Sequence, residues 1–169
     1  MSTPLIVVSS RTGNTQKIAD ALHGAIPSAK MVRAEELPED LSDFNPVFLG
    51  FWCDRGMAPE DMKAVAPKLK GKRIGVFATM GAEPSEPNSQ AWAKKTSEAL
   101  TAAGENNTLC ATFLCQGRVD PEVFRRVTEM TGGLTPEREA RRLRAESHPD
   151  AEDARKCIET FFKAGLIEA

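Results

Sequence analysis

The chain contains no tyrosine, two histidines and four cysteines. Each scarcity removes a class of chemistry. The cysteines (Cys53, Cys110, Cys115 and Cys157) form no CxxC pair and no Cys/His group at zinc-ligand spacing, so no metal centre is expected. Cys110 and Cys115 sit in an apolar run and read as core residues, while Cys53 reads as a loop thiol without a resolving partner. His23 lies inside a helical pattern and His148 in a helix cap; neither accompanies a nucleophile motif, so hydrolase chemistry has no support. No apolar run reaches the roughly 18 residues of a membrane-spanning helix, and no membrane association is expected. Neither a GxxxxGK loop ending in Ser or Thr nor a GxGxxG turn is present, which excludes the nucleoside-triphosphate loop and the dinucleotide fingerprint. A formal net charge of −2 lacks the basic excess of a nucleic-acid binder. The cluster Arg138, Arg141, Arg142 and Arg144 is offset by Glu137, Glu139 and Glu146 and reads as a solvated helix face. The chain enters a strand pattern without a charged leader, so a cytoplasmic location is expected.

What is present is regular alternation. At 169 residues the chain fits one domain, expected to span residues 1–169. Strand patterns fall at residues 4–8, 30–33, 46–51, 72–79 and 109–114. Helical patterns fall at 15–25, 59–69, from the Pro84–Pro87 loop to Ala103, and at 120–130, 136–145 and 150–164. Strands alternating with helices predict an α/β fold with a parallel sheet covered on both faces. In such sheets the ligand sits at the carboxyl ends of the strands, where strand order reverses. The loops at residues 9–15, 50–58 and 79–88 meet there, with 115–119 beside them.

The loop at residues 9–15 carries the clearest signal. Ser9-Ser10-Arg11-Thr12-Gly13-Asn14-Thr15 joins the apolar run 4–8 to a helix. Unpaired backbone N–H groups at a helix start, with hydroxyls from Ser9, Ser10, Thr12 and Thr15 beside them, form an anion site expected to hold a phosphate. The alternative is a merely capped helix. Thr12-Gly13-Asn14-Thr15 after a first strand resembles the phosphate loop of the flavodoxin family, a hydroxyl residue, any residue, then Thr-Gly-Asn-Thr. The likeness covers most of the chain in element order, with specific identity concentrated in residues 9–15.

The resemblance implies a flavodoxin-like three-layer sandwich, a five-stranded sheet in order 2-1-3-4-5, and bound FMN. Ser10, Arg11, Thr12, Gly13, Asn14 and Thr15 would cradle the FMN phosphate, with Gly13 allowing close backbone approach. In the second loop, Gly-Phe-Trp-x-Asp-x-Gly places Phe51, Trp52, Cys53 and Asp54 just past a buried strand and looks like a flavodoxin-like subgroup. Strand alternation sends Phe51 and Trp52 to opposite sides, so Trp52 is expected to wall the flavin. In the third loop, Thr79, Met80 and Gly81 would meet the pyrimidine edge. Without tyrosine, either Met80 fills the outer face or that face stays open. Gln116 and Gly117 are candidate flavin-edge contacts or a plain turn.

The resemblance implies an electron-transfer protein between a reductase and an acceptor enzyme, its partners being redox proteins. The alternative is an FMN-dependent NAD(P)H:quinone or small-molecule reductase. A third reading is an accessory electron-donating subunit, since similar flavodoxin-like proteins accompany tetrapyrrole reductases, including bilirubin reductase, in some bacteria. Residues 117–146 exceed the minimal layout and are the expected docking surface. With Asp54 and Glu83 offset by Arg55 and Arg118, a less extreme potential is expected than in strongly acidic members.

Overall fold

The computed structural model describes residues 2–168. Its five strands are β1 (Thr3–Val8), β2 (Lys30–Arg33), β3 (Phe44–Trp52), β4 (Arg73–Met80) and β5 (Thr108–Gln116). They form one sheet in the order β2-β1-β3-β4-β5, and every pairing is parallel. The six α-helices are α1 (Asn14–Ala25), α2 (Glu60–Val65), α3 (Pro87–Ala103), α4 (Pro121–Met130), α5 (Pro136–Ala145) and α6 (Ala151–Lys163). This is the flavodoxin-like order expected above. None of the described helices is long and apolar enough to cross a membrane.

Strand alternation divides the core into two layers. Leu5, Val7, Leu49, Phe51 and Val76 pack with Met62 and Val65 of α2 and Leu100 of α3. Ile6, Val8, Phe48 and Phe77 pack with Ile18 and Leu22 of α1 and Phe161 of α6. The period-2 pattern thus buries both faces of the central strands. Phe161 joins the second layer through ring contacts to Phe48 at 5.0 Å and Phe77 at 6.4 Å.

The helix expected at 59–69 is shorter than the pattern suggests. Its α-helical part ends at Val65 and a 3-10 turn covers Ala66–Lys68. Pro67 has no N–H to donate and its ring disfavours a continuing α-turn. The later helices start where their caps dictate. Asp120 accepts from the amides of Glu122 and Val123, Thr135 accepts from Arg138, and Asp150 and Asp153 form a reciprocal capping box.

Candidate functional site

The chain leaves β1 and enters α1 without a side-chain cap; Gly13 is the cap residue, in the left-handed region at φ 96° and ψ −5°. A Cβ there would strain the backbone. The Ser10 hydroxyl lies inside the turn and accepts from the amides of Gly13 at 3.2 Å and Gln16 at 3.3 Å. Among the described residues, the amides of Thr12, Asn14 and Thr15 have no acceptor. Unpaired donors at a helix N-terminus are what an anion requires.

Other side chains of this loop hold it in place. Ser9 is buried, and its hydroxyl hydrogen-bonds to Asp61 of α2, at 2.7 and 2.9 Å from the two carboxylate oxygens. The Thr15 and Thr79 hydroxyls share a buried hydrogen bond of 2.9 Å. Asn14 Nδ2 donates to the Arg118 carbonyl at 2.8 Å. Gly117 makes room for that tie, because a Cβ there would come within 2.6 Å of Asn14 Nδ2.

Backbone bonds link the strand ends across the site. The Ser9 amide donates to Gly50, Cys53 to Thr79 and Gly117 to Met80, at 2.8 to 3.0 Å. Gln116 is buried, and its Nε2 donates to the Gly81 carbonyl at 3.2 Å. Phe51 is 1 % exposed and meets Trp92 edge-on with centroids 6.2 Å apart. Trp52, one residue later, lines the cavity instead. Beyond it, Asp54 and Met57 exchange two backbone hydrogen bonds. Arg55 and Gly56 between them have φ of 52° and 76°, a two-residue turn of the primed kind. Trp92 Nε1 donates to Gly56 at 3.0 Å and pins that turn to α3. Burial pushes the Cys53 thiol above its ordinary pKa, with Asp54 adding to the effect against an opposing backbone hydrogen bond from Gly56. A thiol held in that form is a poor nucleophile at neutral pH.

These loops surround a cavity of about 510 Å³, within the usual range for small-molecule sites. Of the anticipated residues, Arg11, Thr12, Asn14, Trp52, Cys53, Asp54, Thr79, Met80, Gly81 and Gly117 line it. Ser9, Ser10, Gly13, Thr15, Phe51 and Gln116 are not among its lining residues. The wall continues along Val119, Val123, Val127 and Met130, which sequence reasoning did not assign to the site. Their signal was the spacing of Val123, Val127 and Met130 on one face of α4. Arg11 places its Cζ 5.9 Å from the Trp52 ring centroid, a cation–π arrangement between cradle and ring wall. Asp54 lies 3.9 Å from Arg55, Glu83 meets Arg144 at 3.8 Å, and Arg118 meets Glu146 at 2.9 Å.

Among the described residues, one cluster elsewhere has metal-ligand character. His148, Asp150 and Asp153 bring ligand-type atoms within 4.8 Å of one another. The capping box and a 2.6 Å contact from His148 Nδ1 to Asp153 account for all three.

Unpaired backbone amides at the reversal point of a 2-1-3-4-5 sheet are the arrangement of a doubly wound α/β protein with an anion-binding first loop. The flavodoxin domain family matches residues 5–163, and the chain belongs to that family. A curated relative, the flavodoxin-like domain-containing protein BilS of Clostridioides difficile (strain CD3), is 30% identical over 98% of this chain and 97% of its own length. Oxidised Flavodoxin 1 from Bacillus cereus superimposes with a TM-score of 0.61 at 18% identity, covering 99% of this chain and 100% of that one. An azoreductase from Bacillus anthracis str. Sterne shares the fold with a TM-score of 0.54 at 12% identity, covering 94% and 100%. Family membership implies an FMN-binding redox protein, and the residues present fit that cofactor. Unpaired amides suit its phosphate, and Trp52 beside a 510 Å³ cavity suits its ring.

Proposed function

We propose that this protein carries electrons on FMN from a reductase to an acceptor enzyme. The observation that carries this reading is the continuity of the uncapped α1 start with a Trp52-walled cavity. Bound FMN supplies reversible one- and two-electron chemistry. The chain's part is to bind and tune it. Thr12, Asn14 and Thr15 offer amides to the phosphate, Trp52 offers a flat apolar face, and the 79–81 loop approaches the ring edge. Of the arginines lining the cavity, Arg55 and Arg118 meet Asp54 and Glu146, while Arg11 and Arg126 have no acidic partner within 4.0 Å among the described residues. That excess of positive charge favours the anionic reduced flavin, so the second reduction step is expected at a less negative potential than in strongly acidic relatives.

A visible spectrum and a redox titration of the FMN-loaded chain test the reading. Failure of FMN to bind at micromolar concentration would sink it. One feature favours a second reading, an FMN-dependent NAD(P)H:quinone or small-molecule reductase. The cavity runs past the cradle and ring wall to aliphatic side chains of α4, which is room for a small acceptor. Steady NAD(P)H oxidation with a quinone and no added reductase identifies that enzyme; turnover only with a reductase identifies the carrier. An accessory electron-donating subunit of a larger reductase is a carrier in these terms.

A further inference from the structure

We infer that the α4–α5 face beside the cavity docks a redox partner protein whose surface presents an apolar projection ringed by carboxylates. This rests on the carrier reading and adds the location and chemistry of the contact. Residues 121–143 hold Val127, Met130, Leu134 and Leu143, all more than half exposed. α4 has no buried residue at all, although its apolar side chains share one face. Between α4, α5 and residues 81–82 runs a groove of about 190 Å³, floored by Val119, Phe124 and Val127. Val119, Val123 and Val127 also line the cofactor cavity, so a side chain seated in the groove lies beside the flavin's expected position.

Charge selects the partner. Most carboxylates here are occupied: Glu139 and Glu146 meet Arg142, Glu122 and Glu129 meet Arg125, and Asp120 caps α4, while Glu137 at the start of α5 has no cation within 4.0 Å among the described residues. Among the described residues, Arg126, Arg138 and Arg141 have no acidic partner within 4.0 Å, although Arg138 already donates to the Gly133 and Thr131 carbonyls. An apolar centre with unneutralised arginines at its edge complements an acidic rim. The chain as a whole carries −2, so this face opposes the sign of the net charge.

The test mixes photoreduced, FMN-loaded full-length protein with oxidised cytochrome b5, which is acidic, or cytochrome c, which is basic, and follows haem reduction. With cytochrome b5 the rate should fall at least about fivefold from low to physiological salt; with cytochrome c it should not fall. Arg141→Glu should slow cytochrome b5 reduction about threefold or more at low salt. Leu134→Ser should slow it at every salt concentration, and Lys95→Glu, the same charge change on α3, should leave it unaltered. A rate that falls with salt only for cytochrome c overturns the inference, as does an Arg141→Glu effect no larger than that of Lys95→Glu. Amide shifts from cytochrome b5 titrated onto the labelled, FMN-free chain keep the inference separate from the carrier reading. Shifts confined to 119–145 support it even if FMN does not bind, and shifts elsewhere overturn it.

Discussion

The two ends of the cavity are built differently. At the cradle end, residues 9–15, Trp52 and Thr79 are tied by strand-to-strand amide bonds, by the buried Thr15–Thr79 contact and by Ser9 on Asp61. At the other end, α4 buries nothing and is joined to its surroundings by one-sided packing, with Arg142 lying 5.8 Å from the Phe124 ring. A cofactor phosphate is bound best by donors already in place, because ordering them on binding would offset the gain. A protein partner is accommodated by side chains that can still repack. The difference assigns preorganisation to the cradle end and adaptability to the α4 end, where local opening should cost little.

The largest break in that comparison would come from stability. Phe161 is fully buried against two aromatic rings. Phe161→Ala should cost about 3–5 kcal/mol through lost burial and a residual cavity. Val127 is 53% exposed, so Val127→Ala should stay within about 0.5 kcal/mol. Urea unfolding of both variants measures the contrast. Equal losses would mean that α4 is structural and that the adaptable end does not exist.

The cofactor sharpens the same contrast. Gly13→Ala puts a Cβ on a backbone at φ 96°, and the strain is worth about 1–2 kcal/mol. If that strain reshapes the cradle, FMN affinity falls by roughly tenfold, measured by quenching of flavin fluorescence. Val127→Ala, on α4 rather than on the phosphate loop, should change the affinity less than Gly13→Ala. The reverse ranking would place the main binding energy at the α4 end.

The cradle end was legible in the sequence because its parts are consecutive. A buried strand, small hydroxyl residues with a glycine and a helix start occupy residues 4–15 and are the pattern of an anion site on their own. The sheet was legible for the same reason: near-continuous apolar runs in β1, β3 and β4 mark strands buried on both faces. What stayed hidden depends on residues far apart. Nothing local says that the Ser9 hydroxyl is taken by Asp61, 52 residues away, or that Trp92 supports the 54–57 turn. The α4 wall was half legible. Its apolar spacing marks a face, but only the fold shows that this face borders the cofactor cavity. Of the two aromatics in the second loop, alternation sent one inward and one outward, and the structure buries Phe51 while Trp52 lines the cavity.

Arg11 lies where cradle meets ring wall and gives a smaller, salt-sensitive effect. Its guanidinium sits over Trp52 and has no acidic partner within 4.0 Å among the described residues. Arg11→Ala should weaken FMN binding about threefold to tenfold at low salt, with the gap closing as ionic strength rises. Riboflavin, which lacks the phosphate, should bind both forms alike. A loss equal for riboflavin and FMN would assign Arg11 to the ring rather than to the phosphate.

The smallest expected effect concerns the link between the α4 end and α6. The Arg118 amide donates to the His148 carbonyl at 2.8 Å, and the His148 ring contacts Asp153 at 2.6 Å. The Asp153 hydrogen bond is the main cause of a raised His148 pKa, with the charges of Asp153, Asp150 and Glu83 acting in the same direction against partial burial. A raised folded-state pKa means that protonated His148 stabilises the fold. That contribution is complete below the unfolded histidine value near 6.5 and is lost as pH rises through the folded value. Asp150 acts in the opposite sense. Its pKa is lowered chiefly by a backbone hydrogen bond from Asp153, so its contribution is lost as pH falls through the carboxylate range. The α6 cap should therefore be strongest on the acid side of neutrality. With the His148 side chain 29% exposed, the whole histidine effect should stay under about 1 kcal/mol. Melting temperatures from pH 5.5 to 8.5, about a unit or two either side of the unfolded histidine value, should decline more steeply for wild type than for His148→Gln. Parallel profiles would mean that the imidazolium contributes nothing to the cap.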